Sequence, residues 1–307
     1  MKNKYLILVF LVLLLVYLGI TFLGNQKEES FSDTITDFSV ETVDQLRITP
    51  KGQGKKSFEL IKKDGSWSII SDDKSYEADM SAVENALSAM HHIKVDNIVA
   101  KKPEKWAKYE LGDGQCTRVE VFSNGKKHTD LLIGKMKFNP QARTANSYVR
   151  LHGKNEVFAT EGFSGFMVSD NADSYRDKTL ARFDPKDLKS IRLTNGDQAV
   201  TLTPQDGNWV ASGLTTDSSK ITAYINALSR LRGQKLVDPG ATWKAPAPAA
   251  QLQLSLGDKT IDIMAYPDTT VAKAFILHSS DNEKAYFDSD SSGLYKRVFG
   301  DLVDMVR

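Results

Sequence analysis

The residues Asp64-Gly65-Ser66-Trp67 and Asp206-Gly207-Asn208-Trp209 are two near-copies of one four-residue pattern. In each copy an Asp-Gly pair, which favours a tight β-hairpin, stands just before a tryptophan. A short alternating apolar stretch precedes each copy, namely Leu46-Arg47-Ile48 and Ile191-Arg192-Leu193. The pattern predicts antiparallel hairpins, with Trp67 and Trp209 as structural anchors of two cores.

A helical pattern follows each copy of the hairpin. Apolar residues recur there at i, i+3, i+7 and i+10, which places them on one face of a helix. These residues are Met80, Val83, Leu87 and Met90 in the first copy, and Ile221, Tyr224, Leu228 and Leu231 in the second. The sequence therefore predicts an internal repeat of one α+β module, an antiparallel sheet with one main helix, in which Leu87 and Leu228 are equivalent core anchors.

An uncharged apolar run, Tyr5–Leu23, precedes the repeat. Nineteen residues of helix would reach roughly 28 Å, about the thickness of a hydrocarbon core. Lys2 and Lys4 precede the run and Glu28 and Glu29 follow it, which predicts a cytoplasmic N-terminus and a periplasmic bulk of the chain. A cleaved signal peptide is the alternative, but the run is longer than the usual apolar core of such peptides.

These patterns together predict a single-pass protein of the bacterial inner membrane with four segments. They are a cytoplasmic tip and transmembrane anchor at 1–24, a tether at 25–37, a first module at 38–172 and a second module at 173–307.

The composition of the chain excludes several classes of binding site and partner. The chain has 307 residues, with 40 Lys and Arg against 39 Asp and Glu, so its net charge is +1. This balance gives no electrostatic reason to expect a nucleic-acid partner. Its single cysteine, Cys116, excludes an internal disulfide and a thiolate zinc cluster. We expect Cys116 to be a buried or half-buried side chain without a chemical role.

Three strings of the chain resemble a bacterial family catalogued as domain of unknown function 4340, often encoded beside gliding-motility-type ABC transporters. They are Asp64–Trp67, Pro103–Leu111, and Tyr175–Leu180 with Phe183-Asp184-Pro185. Glu110 stands where the family commonly has glycine. The resemblance implies an accessory protein on the outer face of the inner membrane, and it implies no catalytic, cofactor or metal residue.

Two motifs come close to known sites without completing them. One segment resembles the first half of a calcium-binding EF-hand loop, with Asp288, Asp290, Ser292 and Gly293 at positions 1, 3, 5 and 6. Position 12 is Phe299 instead of a bidentate glutamate. We therefore interpret this stretch as an acidic turn. Gly162-Phe163-Ser164-Gly165-Phe166 lacks the second glycine of a nucleophile elbow, so it does not indicate an esterase.

Two further clusters contain residue types that occur in binding sites. His91-His92 falls at the end of the first helix, where adjacent side chains diverge by about 100° and do not chelate one metal easily. A basic run surrounds one tryptophan and is a possible interaction surface for an anionic lipid or a phosphate-bearing polymer. Its residues are Lys101, Lys102, Lys105, Trp106 and Lys108.

The sequence favours a non-enzymatic, membrane-anchored accessory or interaction protein of the cell envelope, without a cofactor. Its expected partner is a membrane protein, such as the permease or a companion subunit of an ABC transporter. Two alternatives remain open. The first is a periplasmic module that binds a ligand or lipid, and the second is a hydrolase of envelope polymers.

Overall fold

A computed structural model describes residues 10, 13–14, 33–140, 143–211, 216–240, 243–257, 259–270 and 274–305. Most of the predicted anchor and residues 25–32 of the predicted tether lie outside this range. Across the described residues no helix is long and apolar enough to cross a membrane, so the predicted N-terminal transmembrane helix is not supported. The prediction is based on hydropathy alone, and an apolar composition does not by itself determine that a segment forms a long helix.

Nine strands form a first antiparallel sheet in the order β4-β3-β2-β1-β6-β7-β8-β9-β5. The strands are β1 (Gln45–Thr49), β2 (Phe58–Lys63), β3 (Ser66–Ser71), β4 (Lys74–Glu77), β5 (Lys94–Ala100), β6 (Thr117–Ser123), β7 (Lys126–Asn139), β8 (Thr144–Leu151) and β9 (Val157–Glu161). The Asp64-Gly65 pair forms the predicted hairpin turn between β2 and β3, with positive φ at both residues.

Eight strands form a second antiparallel sheet in the order β12-β11-β10-β14-β15-β16-β17-β13. The strands are β10 (Ser190–Asn195), β11 (Gln198–Gln205), β12 (Asn208–Ala211), β13 (Leu236–Val237), β14 (Ala250–Leu256), β15 (Lys259–Asp268), β16 (Ala274–Ser279) and β17 (Asn282–Asp290). The two sheets have the same topology, except that the first has one additional edge strand, β4. When β4 is left out, the strands of both sheets have the same spatial order relative to their order in the sequence.

The helices of the described chain are few and short. The α-helices are α1 (Met80–Met90), α2 (Ser218–Leu228) and α3 (Asp301–Met305), and a π-helix (Lys296–Gly300) leads into α3. Short 3-10 helices occupy Val40–Thr42, Pro103–Tyr109, Gly165–Met167, Ala172–Ser174 and Pro185–Asp187. The predicted α+β class is therefore wrong: the protein is mostly β-sheet. The apolar spacing located α1 and α2, but each is an 11-residue helix beside a sheet of eight or nine strands.

Contacts divide the chain into two compact units. Of the described residues, the first unit contains those up to Glu59 together with those from Glu84 to Asp170, and the second contains Leu60–Val83 together with those from Asn171 onward. Within the second unit the guanidinium of Arg176 lies 3.7 Å from the ring centre of Tyr76. The amide of Asp177 also donates to the carbonyl of Glu77 at 2.8 Å. The module boundary at 172 and 173 stays a prediction.

Strand alternation gives the first sheet an apolar face and a polar face. Leu46, Ile48 and Val119 are fully buried, whereas their sequence neighbours Arg47 and Arg118 remain partly exposed. In the second unit the core is built on β10, α2 and the C-terminal helices, with Leu228 buried in it and Trp209 half-buried against it. Trp67 and Leu87 are also buried.

Candidate functional site

The 3-10 helix Pro103–Tyr109 lies on the first unit and carries the tryptophan of the basic run. Pro103 begins this helix at a position where its missing N–H costs nothing. Glu110 ends it in the left-handed conformation, with φ of 56°. A small apolar cluster lies beneath the helix, formed by Tyr109, Leu111, Leu132 and Val157, with Trp106 and Cys116 packed against it. The helix therefore holds Trp106 over the sheet.

Arg150 on β8 meets this tryptophan. Its guanidinium carbon lies 3.6 Å from the ring centre of Trp106, and the residue is only 5% exposed. Its Nη1 donates to the carbonyl of Lys154 at 2.9 Å and its Nη2 to the carbonyl of Leu111 at 3.3 Å. Among the described residues its Nε has no hydrogen-bond partner. Burial lowers the pKa of the guanidinium more than the nearby charge of Asp113 raises it, so Arg150 is a buried cation whose hydrogen bonds go to backbone carbonyls.

A cavity of about 730 Å³ opens beside Arg150 and Trp106. Five glycines expose backbone in its wall, namely Gly52, Gly54, Gly112, Gly114 and Gly153. The amide of Gly52 donates to the carbonyl of Gly114 at 2.8 Å, which ties two of the lining loops together. We call this space the Arg150 cavity.

The half-buried thiol of Cys116 also lines the Arg150 cavity. Burial raises the pKa of this thiol. The indole N–H of Trp106 donates to the carbonyl of Asn155 at 3.0 Å, which fixes the ring at the cavity wall.

The neighbouring charges on the same sheet compensate one another. Arg118 donates to Asp130 through Nε and Nη2, both at 2.7 Å, and Lys127 donates to Asp130 at 2.7 Å and to Glu120 at 2.9 Å. Burial acts to raise the pKa of Asp130, but the bonds from Arg118 and Lys127 outweigh it and the pKa is lowered. Arg118 therefore lines the Arg150 cavity as a neutralised cation, unlike Arg150.

A second feature of the first unit is apolar and exposed. Phe166 is 82% exposed, Phe138 62% and Met167 52%. Phe138 follows Met136 on β7 by two residues, so both side chains point to the same face of the strand. The sulfur of Met136 accepts from the hydroxyl of Ser164 at 3.1 Å. We call Phe138, Phe166 and Met167 the apolar patch.

Close packing fixes the turn that presents Phe166. The amide of Gly165 donates to the hydroxyl of Ser147 at 2.8 Å. A Cβ at Gly165 would lie 2.7 Å from a methyl carbon of Ile133, so only glycine fits this contact. A cavity of about 430 Å³, lined by Lys51, Phe166 and other residues, opens beside the patch. The exposed rings are therefore held on a rigid support.

Only one residue of the predicted interaction surface lies at the Arg150 cavity. Lys101, Lys102, Lys105 and Lys108 are exposed, and Trp106 is half-buried. Of these residues, Trp106 alone lines the cavity. Sequence reasoning missed Arg150 and the apolar patch. The sequence around an arginine in a β-strand does not indicate which side chain the arginine contacts. Phenylalanines near a turn are usually interpreted as core residues.

The remaining sequence motifs have local structural roles. One carboxylate oxygen of Asp290 accepts from the amide and hydroxyl of Ser292 and from the amide of Gly293, so it closes a turn. Asp288 is paired with Lys235. His91 is exposed at the end of α1, where Nδ1 lies 2.7 Å from the carbonyl oxygen of Ser88. No group of three metal-binding side chains occurs in the part of the chain that the structure describes.

Comparison with known proteins finds one family. A family model described as Domain of unknown function (DUF4340) matches residues 67–253. No curated protein and no solved structure matches the chain.

Proposed function

The chain belongs to the DUF4340 family, and we propose that it is a non-enzymatic accessory protein of the cell envelope that docks on a subunit of an ABC-type transport system. The observation that carries the proposal is the apolar patch of Phe138, Phe166 and Met167. Large exposed apolar side chains are typical of interaction sites, and two of these residues, Phe166 and Met167, are consecutive in the chain. Phenylalanine and methionine are also enriched at interface centres.

The surroundings of the patch indicate the chemistry of the partner. The cavity beside Phe166 is lined by two lysines, Lys51 and Lys135, and by two carboxylates, Glu110 and Asp170. An apolar centre with a rim of both charges fits a partner surface with an apolar centre and a rim of complementary charges. The identity of that partner as a transporter subunit comes from the family resemblance.

The location of the protein is part of the proposal. The resemblance implies the outer face of the bacterial inner membrane, where the folded units would meet the outer loops of membrane subunits. A phosphatase reporter fused after Arg307, active only when exported, should be active in cells. Activity of a cytoplasmic reporter at the same position would contradict this location.

Co-purification from mildly solubilised membranes tests the proposal. A tagged wild-type protein should recover transporter subunits, and the double variant Phe166→Ser with Met167→Ser should not. Removing central apolar contacts costs about 2 kcal/mol or more, which corresponds to about 30-fold weaker binding.

A matched control removes exposed apolar groups elsewhere. Ile70 is 37% exposed and Met80 is 47% exposed, and both lie outside the patch. The variant Ile70→Ser with Met80→Ser should recover the partner as the wild type does. Equal recovery with all three proteins, or no transporter subunit with any, would refute docking through the patch.

A further inference from the structure

Arg150 is a buried cation that forms no salt bridge with any described residue, although the charge of Asp113 acts on it through space. Removing a charge from water is costly, and buried arginines are normally paired with carboxylates. Among the described residues Arg150 contacts two carbonyl oxygens and the face of Trp106, and its Nε has no partner. This arrangement leaves a positive charge at the wall of an open cavity.

The other residues of the wall do not cancel that charge. Arg118 is held by both oxygens of Asp130. Of the described lining residues, Asp113 is the one carboxylate, and its charge acts on Arg150 without a hydrogen bond between them. Because the exposed Lys55 also lines the cavity, the wall keeps an excess of positive charge.

We propose that the Arg150 cavity binds a small ligand through an oxyanion group, a carboxylate or a phosphate, with Arg150 as its cationic contact and Trp106 as its wall. A guanidinium has five N–H donors, and Arg150 uses two on backbone carbonyls. The Nε–H is shielded from solvent, so one N–H on each of Nη1 and Nη2 remains for a ligand, and planar guanidinium donors match the geometry of both oxyanions. The volume of about 730 Å³ is within the usual range for small-molecule sites. This inference is independent of the proposed docking function.

The single cysteine of the chain provides a site-specific probe. Cys116 lines the same cavity and is half-buried, so a ligand there should shield it from alkylation. The experiment measures the alkylation rate of the full-length protein at pH 8.5 with added phosphate, acetate, or sodium chloride at equal ionic strength. At ten times its dissociation constant, a bound anion should slow alkylation about tenfold. The comparison of phosphate with acetate identifies the preferred oxyanion.

Two variants separate the site from a general salt effect. Arg150→Met removes the cation at similar volume and should abolish the protection. Arg192→Met removes an exposed arginine of β10 in the second unit and should keep it. Failure of both anions to slow alkylation beyond sodium chloride would overturn the proposal, as would equal protection in Arg150→Met.

A second measurement reads binding in the wild-type protein and uses the conservative variant Arg150→Lys only for assignment. Phosphate or acetate binding should shift the Nε–H resonance of Arg150 in a ¹⁵N-resolved NMR spectrum, because the anion would lie against the guanidinium. The resonance is assigned by its loss in Arg150→Lys. An Arg150 resonance that stays in place up to 100 mM of both anions would overturn the proposal.

Discussion

At Gly134 on β7, the backbone of the segment that follows Trp106 packs so closely on the first sheet that a larger side chain would clash. A Cβ at Gly134 would lie 2.3 Å from the carbonyl oxygen of Tyr109 and 2.8 Å from Cγ of the buried Leu111. Favourable contacts between carbon and a carbonyl oxygen begin near about 3.3 Å. In Gly134→Ala the backbone at Tyr109 must therefore move by about 1 Å, and we expect the 3-10 helix and Trp106 to move with it.

The cost follows from packing. A methyl group forced into a close-packed site costs about 1–3 kcal/mol, and the opposing groups here are a backbone carbonyl and a fully buried leucine. Alanine also restricts the unfolded chain, which recovers about 0.4–1 kcal/mol. We expect Gly134→Ala to lower the free energy of unfolding by about 2 kcal/mol. With a urea dependence of roughly 2 kcal/mol per molar, the midpoint falls by about 1 M.

Urea unfolding followed by tryptophan fluorescence measures this effect, and hydrogen exchange of residues 103–111 localises it. The control is Gly300→Ala, where the nearest contact of the added Cβ is the flexible side chain of Lys296 at 3.1 Å. That variant should unfold at the wild-type midpoint or slightly above it. A midpoint for Gly134→Ala equal to that of Gly300→Ala, with unchanged exchange at 103–111, would refute the packing argument.

Two further predictions concern helix ends. Glu110 has φ of 56°, a conformation that costs a non-glycine residue about 1–2 kcal/mol. Glycine avoids this cost but loses more chain entropy on folding, which takes back about 0.5–1 kcal/mol. We therefore expect Glu110→Gly to raise the free energy of unfolding by about 0.5–1 kcal/mol. Glu104→Gly, inside the same 3-10 helix, is its control and should be destabilising in the same urea assay. Asp217 caps α2, and hydrogen bonds from Ser219 and from the amide of Lys220 lower its pKa to about 2. Because this value lies below the unfolded value of about 3.9, its stabilisation is present above about pH 4 and is lost as the pH falls toward 2. The melting temperature of Asp217→Ala should therefore lie below that of the wild type at pH 7 and approach it near pH 2, and a constant difference across this range would contradict the assignment.

Local signals in the sequence predicted local structure well. The Asp64-Gly65 pair predicted a hairpin turn, and the apolar spacing from Met80 to Met90 predicted α1, because both depend on neighbours within a few residues. The proportion of strand was underestimated, since half-buried strands such as β7 mix polar and apolar residues without strict alternation. The resemblance also pointed to glycine at position 110, where the backbone is left-handed.

The candidate sites depend on tertiary contacts that no local pattern contains. Trp106 and Arg150 are far apart in the sequence and meet because a 3-10 helix covers β8. The basic run contains Trp106, but its lysines are exposed and the cation that contacts the Trp106 ring is Arg150. Phe166 is exposed because Gly165 is fixed against Ile133, which its own sequence neighbourhood does not reveal.

Photocrosslinking at the centre of the apolar patch tests the docking account most directly. A benzoylphenylalanine in place of Phe166 keeps an aromatic side chain at this exposed position, and the same group at Thr203, exposed on β11, serves as the control. In living cells the account predicts a crosslink from position 166 to a subunit of an ABC-type transporter and none to that subunit from position 203. Crosslinks of equal yield from both positions, or no transporter subunit at position 166, would contradict it.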